Sequence, residues 1–541
     1  MHIRVIAGAI LVSGIVLGFI GMIFSLIPPV RRFLTTLLQR RFFWLAGAAV
    51  FITLLYAEEN WSARHALKKY EDRWAAQGVK FNFPDVIPPP VPDDQNFALT
   101  PIVYSSYASC MDKQGHEIVP HDYSIVNRLA MLHTGPDMLA DAPKASDWRL
   151  QTLTDLHQWQ NYYRTLAAKT NQFAIPTRPG LPASDVLLAL AKYDSDIEEL
   201  RQASQLPQSR FPLTYNRDDP EGILLPHLSG LKMTARMLDL RACAALQNGE
   251  NDKALADVRL MLYLGGSIRS EPFAISSLVR FALLDVALQP VYEGLAAHRW
   301  SDTQLVALDA DLARLDFLTD CQQVMRGELG FRIADTEYMR RSRDFSALMY
   351  SPDGTQNIPT PLYIVMHLAP GSFFYRNELQ LSRMGLEYLL PSMDLENRTI
   401  SPDTVQQKYN AALSDFLQRP WGGVLPRMIM PGLISATTRF AQAQSHLDLA
   451  RVAIALERYR LAHGKLPVSL LPLSPQYLTT IPSDVIDGQS LRYKRTGDDR
   501  FVLYSVGWNQ TDDGGEVGLS PGTTPELVTT NGDWVWKYPV H

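Results

Sequence analysis

The order of apolar and polar positions divides the chain into stretches of different character. Two uncharged apolar runs, 5–30 and 42–57, come first, and a proline-rich segment covers 84–101. Between 100 and 430 the apolar positions recur with the period of amphipathic helices. The remaining residues combine one long helical pattern with short alternating runs that are typical of strands. The pattern predicts a mainly α-helical protein with N-terminal transmembrane helices, a multi-helix body with αα-hairpins, and a C-terminal α+β module.

The run 5–30 has no charge over 26 positions. As a helix it would be about 39 Å long, which exceeds the roughly 30 Å hydrocarbon core of a bilayer. A cleaved signal peptide is disfavoured, because the stretch is too long and no small-x-small site precedes the arginines. The run 42–57 would span about 24 Å, and Tyr56 and Trp61 are suited to the membrane interface. We predict two transmembrane helices within 1–58, joined by a short arginine-rich loop. The alternative for the second run is a buried or interfacial helix.

Basic residues predict the orientation of these spans, since short cytoplasmic loops are rich in Lys and Arg. The N-terminus carries only Arg4, whereas the connecting segment carries four arginines. The loop is therefore expected in the cytoplasm and 58–541 on the periplasmic, extracytoplasmic side of the cell membrane. The basic cluster at 64–69 argues against this orientation. The loop arginines are Arg31, Arg32, Arg40 and Arg41.

The segment 59–99 is predicted to link the membrane to the body. A charged helix continues from the second span and is expected to end near Gly78. Six of the 18 residues in 84–101 are proline, which is incompatible with a regular helix or a central strand. We expect an extended polyproline spacer that holds the body away from the membrane, and the alternative is a proline-rich ligand site.

The helical body is predicted to cover 100–435, as one domain or two. An αα-hairpin is expected where one helix ends at Gly249 and a second begins after Asn251. Ser301 and Gln304 form a predicted capping box at the start of another helix.

The region 436–541 has a different pattern. An amphipathic helix carries an apolar stripe and ends at Gly464 and Pro467. The runs 490–495 and 500–507 are predicted to pair as a hairpin, and a last aromatic strand follows at 533–539. The stripe consists of Leu449, Val452, Leu456 and Tyr459.

This region resembles the globular part of the major pseudopilin of type II secretion systems. The similar motifs are "ALERYRLAHGKLP", "YLTTIPSDVIDGQSLRY", "FVLYSVGWNQTDDGGE" and a final "DWVW". The resemblance implies one helix packed on a small antiparallel sheet. The chain departs from that family in having two apolar runs, in lacking a glutamate five residues into a single helix, and in having Val485 and Ile486 where the family has proline and an aromatic residue. We therefore expect a pseudopilin-like headgroup attached to a membrane-anchored helical protein.

The resemblance also implies a calcium site in the loop after the 500–507 strand. Its candidate ligands are oxygen donors in a glycine-rich loop, which suits the six to eight oxygen ligands of Ca²⁺. The spacing is not that of an EF-hand, because Ser520 stands at the closing position. The alternative is that Asp and Gly only supply turn geometry between two strands. The candidate ligands are Asn509, Asp512, Asp513 and Glu516.

Catalytic motifs do not stand out in the body. HExxH, P-loop and CxxC patterns are absent from the sequence. Isolated ionisable residues are expected to be solvated charges or structural hydrogen-bond partners, and Cys243, one of three cysteines, is expected to be a small buried side chain. The net charge of −5 gives no indication of nucleic-acid binding. The isolated residues are Glu271, His298, Glu328 and Glu337.

The expected function is that of a non-enzymatic, membrane-anchored extracytoplasmic scaffold that contacts pilin-like or secretion-system proteins. The alternative is a hydrolase of an envelope polymer, with Glu271 and Glu328 in acid/base roles. A polar concave pocket in the body would favour the enzyme. A sensor ranks last, because the cytoplasmic part would hold only about a dozen residues, too few for a signalling domain.

Overall fold

The computed structural model describes residues 28–79, 83–122, 124–129, 142–170, 172–215, 220, 222–345, 364, 366–419, 422–497, 499–522 and 526–539. The predicted span at 5–30 lies outside the described residues, except for its last three positions. The fold is mainly helical, with 60% helix and 7% strand, and a small sheet lies near the C-terminus. This confirms the predicted mainly α class and the C-terminal sheet.

The helices are numbered here in chain order. They are α1 (Pro28–Ala75), α2 (Phe83–Val86), α3 (Pro101–Tyr104), α4 (Leu156–Thr170), α5 (Pro182–Leu190), α6 (Asp194–Ala203), α7 (His227–Asn248), α8 (Asn251–Ser267), α9 (Ala274–Ala296), α10 (Asp302–Leu312), α11 (Phe317–Ser342), α12 (Gly371–Arg383), α13 (Pro402–Leu417) and α14 (Val424–His463). Short 3₁₀ turns include Asp93–Gln95, Phe97–Leu99 and Trp148–Leu150, and a π-helical turn, Met384–Leu389, follows α12.

Helix α9 lies at the centre of the body. It is apolar on all sides, which is typical of a core helix, and it packs against α7, α8 and α14. Within the described residues it is the one helix long and apolar enough to cross a bilayer, but 61% of its most apolar window is buried inside the protein. Such burial is typical of a core helix. The two N-terminal spans gain no support from this test and stay predictions.

The predicted αα-hairpin is confirmed as α7 and α8. Gly249 ends α7 with a φ of 81°, a left-handed conformation that glycine adopts without strain. The capping box at the start of α10 is also confirmed, with Ser301 and Gln304 each bonding the other's main chain. All three cysteines are free, and Cys243 is fully buried in α7 as predicted.

Helix α1 runs without interruption from residue 28 to residue 75. The expected loop at 31–41 is therefore wrong: this segment is helical, and it contains no proline or glycine that would interrupt the helix. The side chains at 44–57, within the second apolar run, point outward from the protein, and Trp44 is 78% exposed. The C-terminal part of α1 packs on α12, where Ala63 and Leu67 are buried.

The expectation of an extended spacer at 84–101 is also wrong. The segment lies against the body, because Phe83, just before it, and Phe97, within it, are buried in the core. Arg210 donates from Nε to the Pro88 carbonyl at 3.0 Å, which fixes the middle of the segment. Pro84 is accommodated in the first turn of α2, where a missing N–H has no helical acceptor.

The C-terminal strands are β1 (Arg492–Arg495), β2 (Phe501–Ser505), β3 (Val517–Leu519), β4 (Leu527–Gly532) and β5 (Trp534–Lys537). Strands β1, β2 and β5 form an antiparallel sheet in that order, and β3 pairs with β4. The predicted hairpin and final strand are confirmed.

The sheet shares its core with the helical body. Helix α14 ends at Gly464 as predicted, but it begins at Val424, so the predicted boundary at 435/436 lies inside it. One hydrophobic cluster extends from Phe83 to Trp536. Tyr292 of α9 donates its hydroxyl to the Lys537 carbonyl at 2.8 Å. The domain division stays a prediction.

Candidate functional site

The acidic loop after β2 is held by hydrogen bonds within the protein. Asn509 Nδ2 donates to Oδ2 of Asp513 at 2.9 Å, so these two predicted ligands are close together. Asp512 Oδ1 accepts a hydrogen bond of 2.9 Å from the hydroxyl of Tyr504 in β2. Glu516 Oε1 accepts from Lys537 Nζ at 3.1 Å. Across the described ranges no group of three or more His, Cys, Asp or Glu side chains could hold a metal ion. Calcium binding by this loop stays a prediction.

Asp533, which sequence analysis did not single out, organises the same loop from the start of β5. Its carboxylate accepts the Gly515 N–H at 2.7 Å and the Asp513 N–H at 3.3 Å. Burial, together with the nearby charges of Asp513 and Asp512, raises the pKa of Asp533 to about 6. The turn geometry of the loop therefore depends on a carboxyl group that titrates in a mildly acidic range.

The two body carboxylates that were candidate catalysts have structural partners. Glu271 Oε1 contacts Nε2 of buried His227 at 2.8 Å, and the hydroxyl of Ser276 donates to its other oxygen. Glu328 Oε1 accepts the Ala274 N–H at 2.8 Å and so caps the start of α9. Neither residue lines the polar cavity described below.

The other two isolated candidates also form ion pairs. His298 Nδ1 lies 2.9 Å from Oε1 of Glu457, which connects the end of α9 to α14. Glu337 pairs with Arg340 at 2.6 Å on the surface of α11. Each of the four residues therefore has a structural partner. Glu271 and Glu328 both bond to the first turn of α9, whereas His298 and Glu337 lie elsewhere.

A polar cavity of about 490 Å³ lies between α7, α9, α14 and the turn Trp148–Leu150. Each helix contributes residues at helical spacing, so that they share one face. Sequence analysis missed this site. The signal was present as polar residues within apolar helices, such as Asp285 and Gln289 in α9. The residues used below are Lys232, Arg236 and Asp239 of α7, Asp285 and Gln289 of α9, and Arg439 and His446 of α14, together with Arg149.

A buried histidine–carboxylate pair forms one wall of the polar cavity. His446 Nδ1 lies 2.7 Å from Oδ1 of Asp285, and Arg149 Nη1 donates to Oδ2 of Asp285 at 2.8 Å. Burial acts to raise the pKa of Asp285, but the His446 and Arg149 charges outweigh it and hold the pKa below the ordinary value. The Trp148 ring meets the imidazole edge-on at 4.9 Å between centroids. The imidazole is thus fixed by a carboxylate at Nδ1, while Nε2 forms no hydrogen bond with the described part of the chain.

A second carboxyl group of the polar cavity has the opposite electrostatic environment. Asp239 is buried, and both its burial and the nearby charge of Glu293 raise its pKa well above the usual range. Its only hydrogen bond within the described ranges is a weak one from the Cys243 thiol at 3.5 Å. Burial and the charge of Glu293 therefore favour the protonated form of Asp239, whereas the cations around Asp285 favour its ionised form.

Three cationic side chains lie around the opening of the polar cavity. Lys232, Arg236 and Arg439 form no ion pair with any residue that the structure describes, and Arg439 donates only to Oε1 of Gln442, at 3.2 Å. Burial, followed by the charge of Arg236, lowers the pKa of Lys232. Because unpaired cations in a concave surface concentrate anions, the opening is suited to an anionic ligand.

No family model matches the chain, and no curated protein or solved structure matches it either. The resemblance of 436–541 to the major pseudopilin therefore stays a prediction. The geometry of the polar cavity carries the functional argument. It offers cations to bind an anion, an oriented imidazole to accept a proton, and a neutral carboxyl group to donate one.

Proposed function

We propose that this chain is a membrane-anchored interaction protein whose helical body binds an anionic ligand in the polar cavity. The observation that carries the proposal is the group of three cations at the opening, Lys232, Arg236 and Arg439, which form no ion pair within 4.0 Å among the described residues. At longer range, Arg236 acts on the pKa of Asp239 and Arg439 on that of Asp285. Charged side chains near a protein surface are normally paired or fully solvated. Three unpaired cations beside one cavity are the expected feature of an anion-binding site.

Binding of inorganic pyrophosphate tests this proposal. Ligand at a hundredfold its Kd stabilises the folded state by about 2.7 kcal/mol, which thermal unfolding detects. The triple variant K232A/R236A/R439A should lose this stabilisation. The control is Lys465→Ala, because Lys465 is exposed and lies about 39 Å from Arg439 along the direction of α14. Equal stabilisation of the triple variant would contradict the proposal.

The membrane anchor is proposed from the exposed apolar side chains of 44–56 on α1. Tryptophan, phenylalanine, leucine and isoleucine side chains lie outward there, and a surface of this kind is unfavourable in water. The body docks directly after this stretch, where Asn60 Oδ1 accepts the Ser372 N–H and Glu59 pairs with Arg376. The body would therefore lie next to the bilayer surface.

Carbonate extraction of the full chain from membranes tests the anchor. The protein should stay in the membrane pellet and require detergent for release. Recovery in the supernatant would contradict the anchor. It would also remove the basis for the cell-membrane location that we propose.

Pilin-like or secretion-system proteins are the proposed partners of the C-terminal module, on the basis of its motifs alone. Deletion of 436–541 is an unsuitable test, since it would cut α14 within the shared core. Substitution of the exposed residues Gln510 and Thr511 in the acidic loop leaves the core intact. Loss of co-purifying pilin-like proteins in Q510E/T511E is expected, with Glu526→Lys, exposed after β3, as the control. Retention of the same partners would count against this association.

A hydrolase is the second candidate function, and the Asp285–His446 pair favours it. The pair provides an oriented general base next to a neutral acid, Asp239, in one cavity. These residues replace Glu271 and Glu328 as the proposed catalytic groups. Turnover of p-nitrophenyl phosphate or p-nitrophenyl acetate that is abolished in H446Q would support this candidate. Equal turnover by the wild-type protein and H446Q would exclude it for these substrates.

A further inference from the structure

A second cavity adjoins the polar cavity and has a different character. It has a volume of about 670 Å³, and most of its wall consists of apolar side chains from α9, α11, α14 and the segment before α7. Charged side chains at its wall are Glu328, Arg332 and Arg439. Its apolar lining includes Ile223, Leu225, Phe273, Ile275, Ile429 and Leu433. We call it the apolar cavity.

The two cavities share part of their walls. Leu278 of α9 and Arg439 of α14 line both of them. Along α9 the lining residues run from Ile275, in the apolar cavity, to Gln289, in the polar cavity, a distance of about 21 Å for a helix. A single ligand can therefore extend from one cavity into the other past Leu278 and Arg439.

The open side of the apolar cavity exposes apolar surface. Ile275 is 50% exposed and Leu278 is 37% exposed, although both lie on the central helix of the body. Contiguous exposed apolar surface next to a cavity indicates that something apolar covers it. Because the adjoining cavity carries unpaired cations, that ligand would have a negative charge at one end.

We propose that the two cavities form one site for a single-chain amphiphile with an anionic head group. The head group would bind Lys232, Arg236 and Arg439 at the polar cavity. The chain would lie along Leu278 in the apolar cavity and cover Ile275. This inference rests on the proposed anion binding and specifies its ligand class. The shared wall and the apolar side chains that make up most of the second cavity carry it, since a small hydrophilic anion would leave that cavity empty.

Three probes test the inference by isothermal titration calorimetry of the full-length protein. The protein is held in a neutral detergent whose alkyl chain differs from that of the probes. The probes are inorganic phosphate and two amphiphiles, dodecyl phosphate and dodecyl maltoside, each of the two below its micelle concentration. Dodecyl phosphate should bind at least a hundredfold more tightly than inorganic phosphate, and dodecyl maltoside should bind at least tenfold more weakly than dodecyl phosphate.

Two variants separate the contributions of the cavities. I275D should weaken dodecyl phosphate at least tenfold and leave inorganic phosphate unchanged, whereas R439A should weaken both. Ile275 is half exposed, so its replacement by aspartate should not prevent folding, and Val306→Asp, at an exposed position of α10, is the matched control. Equal affinities for dodecyl phosphate and inorganic phosphate would overturn the inference but leave the proposed anion binding intact. If neither dodecyl phosphate nor inorganic phosphate bound, the inference and the proposed anion binding would both be overturned. If dodecyl maltoside bound as tightly as dodecyl phosphate, the site would be apolar without head-group selection, and the inference would be overturned.

Discussion

His446 on α14 contacts Asp285 on α9 through a hydrogen bond of 2.7 Å, although 161 residues separate them in the chain. Arg149 donates to the other oxygen of the same carboxylate at 2.8 Å. Three distant segments thus meet at one buried negative charge. A buried carboxylate with two cationic or ionisable partners is costly to remove, because its partners are left without compensation.

Asp285→Asn is therefore expected to destabilise the protein by about 3 kcal/mol at neutral pH. The amide preserves the shape but removes the charge that Arg149 faces. The loss should be measurable as a lower midpoint in urea unfolding. Asp302→Asn is the control, since Asp302 pairs with Arg458 at an exposed site. This substitution should lower the free energy of unfolding by only about 0–1 kcal/mol.

The same variant has a predicted pH dependence. Because the folded state lowers the pKa of Asp285, its contribution is fully present above the ordinary aspartate pKa, near 3.8, and is lost as pH falls through the lower folded value. The difference in stability between wild type and D285N should therefore decrease as pH falls below about 4. A difference that grows below about pH 4 would contradict the assignment of Asp285 as an ionised partner.

Much of the fold could be predicted from local sequence signals. The α7–α8 hairpin depends on Gly249, and the start of α10 depends on Ser301 and Gln304, so short-range physical chemistry determines them. The β1–β2 hairpin likewise follows from alternation around a tight turn. These features need no knowledge of the distant chain.

The polar cavity could not be predicted in the same way, because its residues come together only through tertiary packing. Asp285 and Gln289 were visible as polar positions in an apolar helix, but nothing local indicates that Arg149 and His446 lie beside them. The proline-rich segment shows the same limitation. Its composition indicates an extended linker, whereas the core contacts of Phe83 and Phe97 determine its position.

Phe83→Ala tests whether the proline-rich segment is part of the folded body. Phe83 is 1% exposed and its ring lies 5.7 Å from that of Phe331 and 5.9 Å from that of Tyr215, measured between centroids. Truncation should destabilise the protein by about 3–5 kcal/mol in denaturant unfolding. Pro90→Ala, at an exposed position of the same segment, should change stability by less than about 0.5 kcal/mol. Equal, small effects of both substitutions would indicate a detached spacer.

Asp533→Asn should make the stability of the protein less dependent on pH between about 4 and 6. In the wild type the folded state raises the pKa of Asp533 to about 6, so folded protein binds a proton more strongly than unfolded chain does. Stability therefore falls as pH rises from the ordinary value near 3.8 to about 6, where the buried carboxyl group becomes charged. The asparagine variant lacks this titration.

Urea midpoints of wild type and D533N at pH 4, 5, 6 and 7 measure this difference. Glu526→Gln is the control, because Glu526 is an exposed carboxylate whose charge is not among those that shift the pKa of Asp533. Identical pH profiles for wild type and D533N would show that Asp533 does not titrate in this range.

Asp239→Asn distinguishes the two candidate functions of the polar cavity. Burial and Glu293 raise the pKa of Asp239 and so favour its protonated form. Asparagine has nearly the same shape as that form and is also neutral. The stability of D239N, measured by thermal unfolding, should then lie within about 1 kcal/mol of the wild type. Its anion affinity, measured by calorimetry, should lie within about twofold of the wild-type value. An amide cannot donate a proton to a leaving group, so any hydrolytic turnover should fall by about 10²–10⁴-fold. If the body only binds its ligand, D239N should bind the ligand as the wild type does. A large gain of anion affinity in D239N would instead show that Asp239 is ionised and competes with the ligand for the cations, which would contradict its role as a neutral acid.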